Sequence, residues 1–405
     1  MTAPAQPQPT FPLPKGFSFS ALAAGIKASG RLDLALVEAA PSSTAAALFT
    51  KNLVVAAPVD VGRMHLSKSR GRIRAVIVNS GNANCATGKA GLNACEHVCK
   101  QVARNLAIRT EEVFPSSTGI IGVPLPVDKI IAKLPELIAG REPTTGALDH
   151  FTQAIMTTDT RQKLASAWFG SGASEVSLLG VAKGSGMIHP QLATMLVYLF
   201  TDVGATPAEL KGLLHESCDQ SFNCISVDGD TSTNDTVLLL ASGQSGVRLK
   251  DSGVRNKFAA ALSKVCHSLA EQIVSDGEGV HHVIHLFIEQ AKNRQEALQA
   301  ARTIAHSLLV KTAWAGADPN WGRILAALGR SGIALDPKRV NIYIAKQMVC
   351  KGGVACGFDE SKAHHDLAQP RCDIRVRLGR GRGSVEFITS DLTTDYVRIN
   401  ADYST

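Results

Sequence analysis

The sequence predicts an α/β fold of layered sheets and helices, not a Rossmann fold. Three observations carry that expectation. Short β-branched runs alternate with long helical stretches throughout the 405 residues, the pattern of a mixed chain. No GxGxxG or P-loop follows a strand, so the turn that cradles a nucleotide in a doubly wound sheet is missing. At this length a single core is outgrown, and two subdomains or two closely packed layers are expected.

Composition narrows the function classes. Hydrophobic residues make up 45% and charged residues 19%, which supplies ample core. A net charge of +7, scattered over the chain, with only 5% aromatic residues, lacks the dense basic face and stacking rings of a nucleic-acid binder. An anionic small substrate fits. Nine cysteines, an odd number at irregular spacing, make no disulfide framework and point to a reducing compartment. Cys95 and Cys99 read as core thiols, because no CxxC pair completes a zinc site. No apolar run approaches the roughly 20 residues that a membrane span needs, and a soluble, cytoplasmic protein is expected.

Taken in order, residues 1–14 are rich in Pro, Gln and Ala and read as a disordered tail without the features of a secretory signal. Residues 45–50 and 54–59 read as β-rich runs, and 74–78 as a buried strand by its Val and Ile content. A polar turn over 79–84 leads to a helix over 88–106. Ser116, Ser117, Thr118 and Gly119 read as a loop between apolar runs. That loop is either an ordinary turn or a set of donors aimed at one developing oxyanion. The hydroxyl-dense 155–160 suits a helix end or a ligand loop equally.

A helix over 207–223 precedes Val227 to Thr236, whose alternating oxygen side chains invite a calcium reading. Thr233 stands where such a loop requires glycine and Leu239 where it requires glutamate, so a hydrogen-bond network feeding a strand is expected instead. The helix over 254–274 ends at Asp276-Gly277-Glu278-Gly279, a carboxylate in a glycine-flanked turn. His281, His282 and His285 make no zinc set, since 282 and 285 face opposite sides of a strand. Residues 290–310 read as helix, and another begins near 316–324 with Asp318 or Asn320 as its cap. Residues 371–377 and 384–388 read as a basic hairpin with a solvated edge. The polar-patterned end, 391–405, reads as docked.

The middle of the chain holds the least ordinary stretch. Lys183-Gly184-Ser185-Gly186-Met187-Ile188-His189-Pro190-Gln191-Leu192-Ala193 delivers a lone hydroxyl, Thr194, onto an apolar run over 195–200. With these residues in hand, the sequence closely resembles the glutamate N-acetyltransferase/ornithine acetyltransferase family of arginine biosynthesis, over about residues 15–405. Separate motifs occur in the family's order: 78–84, Ser117-Thr118-Gly119, 156–160, 183–196, 227–235, 276–279, 317–324 and 400–405.

The resemblance implies a self-processing fold of that family's type and a precursor that cuts itself at Ala193-Thr194. The products would be an α chain, 15–193, and a β chain, 194–405, held together with two of each in the assembly. Freed Thr194 would carry an α-amine, of reference pKa about 8, as the built-in base for its own hydroxyl. The implied reaction is ping-pong: Thr194 takes acetyl from N2-acetylornithine, ornithine leaves, and glutamate collects the acetyl group as N-acetylglutamate. Thr118 and Gly119 match the oxyanion hole. Thr157, Lys183, Thr194, Glu278, Asn400 and Thr405 match the substrate contacts. No cofactor and no metal are implied, and acetyl-CoA as a co-substrate is left open because no CoA cradle is recognisable. The expected partners are the small-molecule substrates and the chain's own two halves, with no nucleic acid and no membrane.

Two departures stand out. Gln191-Leu192 replaces the family's Asn-Met ahead of the cut. His281-His282 follows Glu278-Gly279-Val280 where the family carries a lysine, and His282 as its substitute predicts sharper pH dependence near pH 6 to 7. Two rival readings also stand. An N-terminal-threonine amidase or aminopeptidase would pass the acyl group to water and release acetate. An inactive binding protein would remain one uncut chain.

Overall fold

The computed structural model describes residues 12–189 and 195–402. The chain runs through β1 (Phe17–Leu22), β2 (Leu34–Ala39), β3 (Thr44–Phe49), α1 (Ala57–Lys68), β4 (Ala75–Asn82), α2 (Gly88–Leu106) and β5 (Val113–Ile120). Helices α3 (Val127–Ala139) and α4 (Thr145–Ile155) precede β6 (Lys163–Phe169) and β7 (Val176–Lys183). Beyond the central loop lie β8 (Leu196–Thr201), α5 (Pro207–Gln220), β9 (Thr236–Ala241) and α6 (Ser252–Ser275).

These elements build four layers. One sheet has the order β1-β2-β4-β5, and the other β3-β9-β8-β7-β6. The second sheet is buried on both faces, so its strands are continuously apolar, and residue parity decides which core each side chain enters. Leu196, Tyr198 and Phe200 of β8 point to the inter-sheet core with Phe17, Phe19 and Phe151, while Val197 and Leu199 point to the core under α5 and α6. Helices α1, α2 and α3 cover the outer face of the first sheet. The α/β layering expected from the sequence is thus a helix–sheet–sheet–helix stack.

A second α/β unit follows: β10 (Val283–Ala291), α7 (Arg294–Ala305), α8 (Leu308–Ala315), α9 (Trp321–Gly329), β11 (Asn341–Ile344), β12 (Gln347–Lys351), β13 (Val354–Ala355), α10 (Glu360–Leu367), β14 (Arg371–Arg377) and β15 (Gly383–Ser390). Its sheet has the order β13-β12-β11-β14-β10-β15 and its own core. The chain then returns to the first unit as α11 (Thr394–Asp402).

Several local expectations are corrected. Residues 57–59 open α1 rather than continue a strand, because Pro58 sits in its first turn, where a missing N–H costs nothing. The polar 79–84 and 116–119 do not form turns: 79–82 end β4 and 116–119 lie inside β5. Their side chains are satisfied there, Ser117 donating to Asn79 Oδ1 at 2.6 Å and Ser80 to the Ala154 carbonyl. Residues 290–310 are not one helix, since β10 runs to Ala291, Asn293 caps α7, and the chain breaks again at His306. The basic hairpin is absent as such, because β10 lies between β14 and β15, parallel to one and antiparallel to the other. Cys372, Ile374 and Val376 face the core, and Arg375 and Arg377 pair with Glu289. Leu13 packs on the inter-sheet core and Pro14 is buried, so the fold begins before residue 15.

Candidate active site

The functional residues gather where β4, β5 and β7 end and β8 and β9 begin, since Lys183 stands in register with Leu196, and Leu196 with Thr236. A cleft with about 620 Å³ of open space lies there, and its lining includes Thr118, Gly119, Thr157, Lys183, Glu278 and Asn400. Six of the predicted site residues therefore share one cleft. Ala193, Thr194 and Thr405 lie outside the described residues, as do Pro190, Gln191 and Leu192.

Lys183 is the hub. Its ammonium, at the buried end of β7, donates to Thr157 Oγ1 at 2.9 Å and to Thr118 Oγ1 at 3.2 Å. A hydroxyl that accepts from an ammonium keeps its own hydrogen to donate, so both threonines can present an O–H to the cleft. Burial lowers the Lys183 pKa, and Asp159, 3.9 Å away, opposes that shift.

Asp159 in turn accepts from the Gly184 N–H at 2.6 Å, the Thr157 N–H at 3.0 Å and Lys163 Nζ at 2.7 Å. Lys163 also reaches Asp276, which takes the Thr160 hydroxyl. Burial pushes the Asp159 carboxyl up, but Lys183 and Lys163 together bring it well below the usual carboxylate range. Two lysines and two aspartates thus lie buried under the cleft floor.

Gly119 is forced by packing. Its φ of +131° is open to glycine, and a Cβ there would run into the backbone of Gly81 and Asn82 on β4. Glu278 hangs over the opposite wall, where its N–H donates to the Ser185 carbonyl at 3.0 Å and its Oε2 accepts from Asn400 Nδ2 at 2.9 Å. Helix α11 buries no side chain of its own. It is tied down by that bond and by Thr393 Oγ1 donating to the Gly279 carbonyl at 2.6 Å, which is the docking expected of the C-terminal segment.

The 227–236 segment is a hydrogen-bond network, as its sequence suggested. Asn234 Nδ2 ties it to the carbonyls of Ala83 and Ser117. Asp228 takes the N–H groups of Met187, Ile188 and Asp230, and burial raises its pKa to about 6. Asp235 takes the Met195 N–H at 2.9 Å. The two aspartates hold the two sides of the central loop.

This combination of a hydroxyl-bearing cleft and a central loop held on both flanks covers the motifs that resembled the acetyltransferases. The ArgJ family model matches residues 18–405. The chain belongs to the ArgJ family. An arginine biosynthesis bifunctional protein ArgJ of Methylococcus capsulatus is 44% identical over 394 residues, 96% of this chain and 95% of the relative. That of Geobacter sulfurreducens is 42% identical over 396 residues, 96% and 99% respectively. Among solved structures, the arginine biosynthesis bifunctional protein ArgJ of Bacillus halodurans is 41% identical, with a TM-score of 0.48 over 50% of this chain and 96% of its own. The ornithine acetyltransferase of Mycobacterium tuberculosis, complexed with ornithine, is 38% identical, with a TM-score of 0.39 over 44% and 92%.

Within this ArgJ-family cleft the histidine substitution takes a different form from the one expected. His282 bonds the Gln369 carbonyl through Nδ1, and His281 pairs with Asp395 at 3.1 Å. Neither lines the cleft. His282 therefore does not replace a lysine beside Glu278, and the pH dependence built on it loses its basis. Asp159, Lys163, Asp228, Asp235 and Asn234 were not legible as site residues. Asp276 stood in a glycine-flanked turn, a signal assigned to Glu278 alone, while Lys163 carried no signal at all.

Proposed function

We propose that the chain is a self-cleaving acetyltransferase of arginine biosynthesis, moving acetyl from N2-acetylornithine to glutamate through an acetyl ester on Thr194. The observation that carries this reading is Lys183 bonded to both Thr118 and Thr157 at the head of the cleft, in register with Leu196, which follows Thr194 by two residues in the sequence. Cleavage at Ala193-Thr194 gives the α and β chains and frees the Thr194 amine, which takes the proton of its own hydroxyl. The hydroxyl oxygen attacks the acetyl carbonyl, and the Thr118 O–H and the Gly119 N–H receive the charge that develops on oxygen. Ornithine departs with the proton. The glutamate amine then attacks the ester carbonyl and leaves with the acetyl group as N-acetylglutamate, while the Thr194 oxygen departs from the carbonyl carbon and takes back a proton as the restored hydroxyl. Glu278 offers a carboxylate for the ornithine ammonium, and Asn400 holds it in place.

The reaction so written needs no cofactor. The curated relatives are named as bifunctional, which supports a second route in which acetyl-CoA loads Thr194. An assay with acetyl-CoA and glutamate, lacking acetylornithine, reads that route directly. We assign the assembly two α and two β chains. Among the described residues no helix is long and apolar enough to cross a membrane, and nine free thiols support a cytoplasmic place.

The test is glutamate-dependent consumption of N2-acetylornithine. Release of acetate instead of N-acetylglutamate favours the amidase reading and overturns this one. In the same assay Thr118→Ala should lower kcat about 100- to 1,000-fold, the usual loss for one oxyanion donor. Gly186→Ala probes the other wall: a Cβ at Gly186 would press on the Glu278 carboxylate. The variant should fold normally, and its kcat/KM for acetylornithine should fall roughly 100-fold through misplacement of that group.

A further inference from the structure

Lys27 is a half-buried lysine that none of the roles above uses, although its neighbours serve the cleft. It lies in the loop between β1 and β2, and one carboxylate shapes that loop. Asp33, 0% exposed, accepts the N–H groups of Ala24 at 2.6 Å, Ile26 at 2.6 Å and Lys27 at 2.9 Å. The stem of Lys27 then runs against Gly81, where a Cβ would stand 2.9 Å from Lys27 Cγ. Its ammonium donates to the carbonyls of Leu32 at 2.9 Å and Met156 at 2.7 Å.

The second of those bonds reaches the cleft. Met156 closes the C-terminus of α4, and Thr157, which lines the cleft, follows it directly. A helix leaves its last carbonyls without internal partners and favours a cation beside them. No residue in the last turn of α4 is basic, and Lys27 supplies that charge from a distant loop. The Met156 C=O and the Thr157 N–H belong to one planar peptide unit. Lys27 holds its oxygen and Asp159 Oδ2 holds its N–H at 3.0 Å, so the orientation of the unit is set from both ends. We propose that Lys27 is a positioning residue for the cleft, acting through the Met156 carbonyl to set where the Thr157 hydroxyl meets the substrate. The proposal rests on the reading of Thr157 as a substrate contact and adds to it what holds that contact in place.

The electrostatics agree. Burial lowers the Lys27 pKa to about 8, Arg31 and Lys183 push the same way, and Asp33 and Asp159 oppose them. A lysine whose pKa falls on folding costs stability while it is charged. Its charge is therefore not there to stabilise the fold, which leaves the two carbonyls it holds as its task.

The experiment compares full-length wild type with Lys27→Met, Thr157→Val and the double variant, reading kcat and KM for N2-acetylornithine and the midpoint of urea unfolding. Methionine keeps the stem against Gly81 and removes the ammonium. Lys27→Met should fold and raise KM roughly tenfold with kcat within about threefold of wild type, the mark of lost binding rather than lost chemistry. In the Thr157→Val background the same change should raise KM by less than about twofold, because a residue acting through Thr157 then has no hydroxyl left to place. Lys27→Gln, which also removes the charge and shortens the donor, is read in the same cycle if Lys27→Met does not fold. A wild-type KM in the folded Lys27 variant, or losses that multiply in the double variant, overturns the proposal. A wild-type KM in Thr157→Val defeats instead the assignment of Thr157 as a substrate contact, which separates the two failures.

Discussion

Thr194→Ala is expected to purify as one intact chain of 42.7 kDa and to transfer no acetyl group. On the mechanism proposed above one atom accounts for both losses, because the hydroxyl that opens the Ala193-Thr194 bond is the hydroxyl that later carries acetyl. Loss of a covalent nucleophile typically costs on the order of a millionfold in kcat. The hydroxyls of Thr118 and Thr157 are held by Lys183. None of the described lining residues is a cysteine, and eight of the nine thiols are buried. Thr194→Ser keeps an oxygen at the same position and should be cut, with reduced turnover. Denaturing gels and mass measurement check the first half, and the acetylornithine assay the second. A Thr194→Ala protein that is still cut, or still active, removes Thr194 from the mechanism.

What the sequence disclosed about this site depended on whether the signal was local. The helix expected over 254–274 is α6, Ser252–Ser275, because its apolar spacing is a property of the segment itself. The α/β layering was legible for the same reason. Ser116 to Gly119 and Asn79 to Asn82 were misread as turns because composition favours turns for such residues. Their strand conformation is set by partners such as Ala154 and by the mutual bond between Asn79 and Ser117. Convergence was not legible from any segment. Thr118, Thr157, Lys183, Glu278 and Asn400 come from β5, the loop after α4, β7, the turn after α6, and α11, and only the family resemblance grouped them before the fold did. Asp235 sat inside a motif that was recognised, yet its hold on the Met195 N–H is visible only in three dimensions.

Lys163→Met is expected to destabilise the protein by about 3–5 kcal/mol at pH 7, the usual cost of breaking a buried ion pair from one side. Lys163 does not line the cleft, and its neighbours on β6 gave no reason to expect a buried charge. Its ammonium lies 2.7 Å from Asp159 Oδ1 and 2.5 Å from Asp276 Oδ2, with both sides of each pair almost fully buried. Methionine fills similar volume but leaves Asp159 with Lys183 as its remaining cation and Asp276 with the Thr160 and Arg161 donors alone. The pH dependence follows from Asp159. Its folded pKa lies well below the ordinary aspartate value because Lys183 and Lys163 outweigh its burial, so the native state binds fewer protons and its charge pairing stabilises the fold above the unfolded pKa, fading as pH falls through the folded value. In the variant that contribution shrinks. The gap between wild type and variant in urea unfolding should therefore be widest near neutrality and narrow progressively below about pH 4. Turnover should fall as well, since Asp159 fixes the Thr157 and Gly184 N–H groups and opposes the burial of Lys183. A gap that stays constant from pH 7 to pH 3 would mean that Lys163 contributes packing rather than charge.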